Sequence, residues 1–64
     1  MRPLIEILED ERMLMLKIDS IYKYILRTDD ADTLEILNAK RVNIERDLSN
    51  VRDELRNYIS DLFT

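Results

Sequence analysis

Apolar residues recur at alternating spacings of three and four along almost the whole chain. In the C-terminal half the series runs Leu34, Leu37, Arg41, Ile44, Leu48, Val51, Leu55, Tyr58 and Leu62, a heptad seam whose one polar member is Arg41. The N-terminal half carries Leu4, Ile7, Glu11, Leu14, Ile18, Ile21 and Ile25, with Glu11 as its polar member. Leu8, Met15 and Tyr22 widen that seam on the adjoining position. These periods predict two amphipathic helices, over about 3–28 and about 33–62. Between them Thr28-Asp29-Asp30-Ala31-Asp32-Thr33 is the one polar cluster without apolar periodicity, and it predicts a turn over about 29–32. Asp32 as N-cap with Glu35 three residues on resembles a capping box, and a start one turn earlier, at Asp29, fits nearly as well. There is no glycine, and the only proline, Pro3, sits where a helix tolerates the missing N–H.

A short turn makes the helices antiparallel neighbours, so residues 1–64 read as one all-α, coiled-coil-like hairpin. A seam with a flanking apolar position suits a bundle better than a thin two-stranded coil. The chain has 64 residues, 45% hydrophobic and 38% charged, so only one small core is available. It contains no cysteine and no histidine, which removes disulfides and structural zinc as staples and leaves oligomerisation. Two hairpins closing into a four-helix bundle, a homodimer, is the simplest solution.

Glu11 and Arg41 bear on how such a dimer would register, because charged seam residues are tolerated when they are paired or fix alignment. A turn centred near residue 30 levels Glu11 with Leu48 of its own chain, too far from Arg41 for pairing within the hairpin. If helix 1 packs antiparallel to its mate about a centre near residue 16, Glu11 falls in the layer of the partner's Arg41. In the alternative, Arg41 carries its head out to water and Glu11 lies near a frayed end.

Composition also limits the chemistry. Carboxylate-bridged metal bundles need histidine, and none exists; Asp29-Asp30-Ala31-Asp32 lacks the glycine and the distal glutamate of a calcium loop. No phosphate-binding glycine loop and no nucleophile beside a base is present, so no enzyme, metal or cofactor is expected. The N-terminus leads into acidic residues instead of a secretory apolar run, which with the absence of cysteine suggests a cytoplasmic protein without a membrane segment.

Outside its seam, helix 1 still carries Ile5, Met13, Leu16 and Tyr24. Ile5 and Leu16 share a flank with Arg12 and Lys23, while Met13 and Tyr24 lie farther round. Net charge is −4, yet residues 12–27 set Arg12, Lys17, Lys23 and Arg27 against Asp19 alone. Scattered surface apolar residues are common on ordinary helices. The functional alternative is a mixed basic and apolar face formed by Ile5, Arg12, Met13, Leu16, Lys23, Tyr24 and Arg27 and offered to another protein, with methionine suited to repacking there. On helix 2, Asn43, Asn50 and Asn57 repeat every seven residues and read as a solvated stripe.

The length, the hairpin and the turn residues Asp30-Ala31-Asp32 resemble the Rop proteins of plasmid copy control, hairpins that dimerise and bind paired RNA loops through helix 1. That resemblance implies an RNA-binding role for Tyr24 with Arg12, Lys23 and Arg27, although Tyr24 lies near the helix end instead of its middle. Ser49 and Asp53 have the Ser-x-x-x-Asp spacing of the small aspartyl-phosphate phosphatases of sporulation, which are also helical hairpins. Arg52 and Arg56 replace the apolar residues flanking that motif, and the pair falls farther along helix 2, so the spacing is treated as coincidental. The expected function is therefore a non-catalytic interaction module, an adaptor, assembly factor or inhibitor of a bacterium, phage or mobile element. A Rop-like RNA binder is the alternative, and a phosphatase-like regulator stands third.

Overall fold

The computed structural model describes residues 2–63 and consists of α1, Leu4–Arg27, and α2, Ala31–Leu62, packed against each other as an antiparallel hairpin. Pro3 opens α1 with φ −57° and no N–H of its own to satisfy; its carbonyl accepts from the N–H groups of Glu6 at 3.1 Å and Ile7 at 3.3 Å. No side chain caps this end. At the other end Thr28 turns extended, and its hydroxyl donates to the Tyr24 carbonyl at 2.7 Å, satisfying one of the last free acceptors. The chain then reverses through Thr28–Asp30 with no positive φ among the described residues, so no glycine is required.

The cap of α2 differs from the Asp32–Glu35 box. Asp30 holds the position, accepting from the Thr33 N–H at 3.2 Å and from the Thr33 hydroxyl at 2.5 Å. Thr33 offers two donors to one carboxylate, which fixes the start of α2 at Ala31 and leaves Asp32 as a first-turn charge facing the helix dipole.

Both seams turn inward, with Ile7, Leu48 and Val51 buried and most other seam members half-buried. Leu62 departs from the pattern and is 66% exposed. Helix α2 has 32 residues against 24 in α1, so its last turn has no helix opposite it, and Ile59 and Phe63 are exposed there too. The hairpin is thin: its extents are 50 × 15 × 14 Å and its radius of gyration is 14.9 Å, against about 11 Å for a compact domain of this length. A seam two helices thick has neighbours on one side only, which is why so few residues reach full burial.

Arg2 ties the N-terminus to α2. Its Nε and Nη2 donate to the two carboxylate oxygens of Glu54 at 2.9 and 2.8 Å, and its Nη1 donates to Asp10. The forked pairing with Glu54, followed by the bond to Asp10, raises the guanidinium pKa further above its ordinary value.

Candidate protein-interaction face

The two polar seam residues find partners on one flank of the hairpin. The Arg52 Nε stands 3.5 Å from the Glu11 carboxylate, so Glu11 is paired across the two helices of its own hairpin. Arg41 reaches along its own helix, donating to Glu45 at 2.8 Å and to Asn38 at 3.4 Å. The Tyr22 hydroxyl donates to the other Glu45 oxygen at 2.9 Å, so Glu45 joins a side chain from each helix. Hydrogen bonding to Glu45 raises the Arg41 pKa. Both seam charges are thus only partly exposed, Arg41 at 28% and Glu11 at 24% of the side chain, and each keeps an opposite charge beside it.

The off-seam residues of α1 separate into two faces. Met13, Leu16, Lys17 and Ser20 line an open groove whose floor includes Ile21 and Ile44 from the seam. Ser20 adjoins a second hollow with Lys23, Tyr24 and Arg27, and Met13 and Leu16 adjoin a third with Glu9 and Arg12. The first hollow shares Ser20 with the second and Met13 and Leu16 with the third, and so the three adjoin one another along the outside of α1. Met13, Leu16 and Tyr24 are each more than half exposed. Ile5 lines none of these hollows, although it stands on the flank of Leu16 and Arg12. Lys17, noted in the sequence only for its charge, and Ser20, which does not stand out there, also line the first hollow; Ser20 lies among bulkier residues, and that step in side-chain size is the signal that could have found it.

Ser49 and Asp53 line a hollow with Ile18, Glu45, Leu48, Arg52 and Arg56, where the Asp53 carboxylate lies 3.6 Å from Arg56. Among the described residues no group of three or more acidic, histidine or cysteine residues is gathered as a metal site, and no helix is long and apolar enough to cross a membrane. No protein-family model, curated protein or solved structure matches this chain.

Proposed function

We propose that this chain is a non-catalytic interaction protein, a homodimeric helical hairpin that works in the cytoplasm as an adaptor, assembly factor or inhibitor. It lays the outer face of α1 against another protein. The observation that carries this reading is the exposure of Met13, Leu16 and Tyr24 along one groove system, edged by Lys17, Lys23 and Arg27. Apolar anchors surrounded by a charged rim are what a protein interface requires. The grooves are open along their length, which suits a partner's side chains and offers little shelter for catalysis. The dimer belongs to the same reading, with two hairpins closing toward a four-helix bundle and Glu11 near the partner's Arg41.

One observation favours RNA as the second reading: Lys23, Tyr24 and Arg27 share a hollow, and a ring between two cations can stack a splayed base. The net charge of −4 weighs against it, because phosphate binding draws on a positive surface.

The test is the paired substitution Leu16→Ser with Tyr24→Ser in the full chain, with a photo-crosslinker at Met13 reading what lies on the face in native cells. Helicity should stay within about a tenth of the parent, since neither residue belongs to the seam, while a single protein adduct present in the parent is lost. Adducts that disappear with ribonuclease and weaken steeply with salt would replace protein by RNA. Adducts unaffected by the substitutions would show that the face is not the binding surface.

A further inference from the structure

We propose that two hairpins pair through a second stripe of α1, with the helices antiparallel and Arg12 of each copy against Asp19 of the other. This rests on the dimer of the preceding reading and supplies its face and its register. The stripe is Ile5, Leu8, Met15, Tyr22 and Leu26, interrupted by Arg12 and Asp19, and its members again follow spacings of three and four. It runs about a quarter-turn round the helix from the seam that packs on α2. Leu8, Met15 and Tyr22 each remain 44% exposed, and Ile5 and Leu26 are more open still, so α2, which reaches the stripe through the Tyr22–Glu45 bond, covers it only in part.

The order of residue types identifies the occupant as a second copy. A twofold axis requires that if one residue meets another, the reverse contact is made as well. About a midpoint between Met15 and Leu16, Ile5 exchanges with Leu26, Arg12 exchanges with Asp19, and Leu8 exchanges with Tyr22 to within a residue. Apolar groups therefore meet apolar groups, Met15 lies beside its own copy, and two opposite-charge pairs form symmetrically. A parallel pairing would set Arg12 on Arg12 and Asp19 on Asp19, and like charges at a contact are strongly disfavoured. Neither Arg12 nor Asp19 has an ion-pair partner among the described residues, whereas Glu45 and Arg52 on the neighbouring flank of α2 already hold partners within the hairpin.

The area agrees with a dimer. The chain exposes 5178 Å², against about 4,300 Å² for a compact monomer of its mass. The excess, roughly 900 Å², is close to the roughly 800 Å² that each partner buries in an ordinary stable interface. The stripe is about 32 Å long at 1.5 Å per residue, and one helix pair of that length sits at the lower end of interface sizes, so micromolar dissociation is expected.

The experiment is sedimentation equilibrium on the full chain, with Arg12→Glu, Asp19→Arg and the double variant, and circular dichroism on each to establish that these exposed substitutions leave helicity intact. Each single change should weaken the dimer at least about tenfold, and the exchange of both charges should restore it to within about threefold of the parent. A parent that remains monomeric to hundreds of micromolar overturns the dimer and this interface together. A parent dimer whose two single effects simply add overturns this stripe alone and leaves both the dimer and the Leu16 face standing.

Discussion

Helices α1 and α2 both supply the seam, α2 with two of its three buried residues, and they differ more widely outside it. Helix α2 is longer, begins on a side-chain cap and concentrates its apolar residues in one line. Its outward Asn43, Asn50 and Asn57 are exposed, and its exposed Ile36 and Val42 stand singly on different faces. Helix α1 is shorter, lacks a side-chain cap at its start and carries apolar residues on three faces: the seam, the Leu8–Met15–Tyr22 stripe and the Met13–Leu16–Tyr24 hollows. A helix apolar on more than one side needs more than one neighbour. In a two-helix chain extra neighbours would have to come from outside, and the proposed function therefore makes α2 the support and α1 the contact element.

The sharpest way to break that division is to place the same charge on each helix. Leu48→Asp puts an unpaired carboxylate at one of three buried positions, a cost comparable to the roughly 3–5 kcal/mol that a core of this size supplies. Helical circular dichroism should collapse and association should vanish with it. Leu16→Asp, on the open face of α1, should leave the spectrum nearly unchanged. A folded Leu48→Asp protein would mean that the seam does not hold the hairpin.

How far the sequence carried can be read from single residues. The inward turn of Ile7, Leu14, Leu48 and Val51 was legible because a helical period of 3.6 leaves one face for apolar residues every three or four positions. The fate of Leu62 was not, because periodicity within α2 says nothing of where α1 stops. The cap fell between the two positions the sequence suggested, Asp32 and Asp29; what selects Asp30 is the pair of donors on Thr33, which the folded turn brings to one carboxylate. Arg2 lies before the first periodic residue and gave no sign of its bonds to Glu54, 52 positions away. The outer hollows were legible as exposed apolar residues, whereas the place of Ser20 in two of them was not.

A smaller effect separates what Glu11 does within a hairpin from what it does between hairpins. Its contact with Arg52 joins side chains 24% and 52% exposed, so a double-mutant cycle on unfolding at low concentration should give a coupling of only about 0.5 kcal/mol. The Glu11–Arg41 cycle should be silent in that measurement and visible in the dimerisation constant, where Glu11→Arg with Arg41→Glu regains much of the association that either change loses. Additive effects in both measurements would place Glu11 at a solvated position with no part in register.

The smallest expected effect lies at the helix starts, where Asp30 caps α2 and no side chain caps α1. The Thr33 hydroxyl, and after it the Thr33 N–H, hold the Asp30 carboxyl below its ordinary value of 3.8. A group whose folded pKa is depressed contributes stability that is full above its unfolded pKa and disappears as pH falls through the folded value. Loss of the cap is therefore confined to the acid side, below about pH 4, and nothing at this position changes between pH 6 and 8. Asp30→Asn keeps an acceptor for Thr33 and removes the ionisation, so its stability relative to the parent should improve as pH drops through that window. Asp30→Ala removes the acceptor at every pH and should speed amide exchange in the first turn of α2 toward the rates of the first turn of α1. Equal protection of the two first turns in the parent would remove the difference in capping and leave apolar placement as the only asymmetry between the helices.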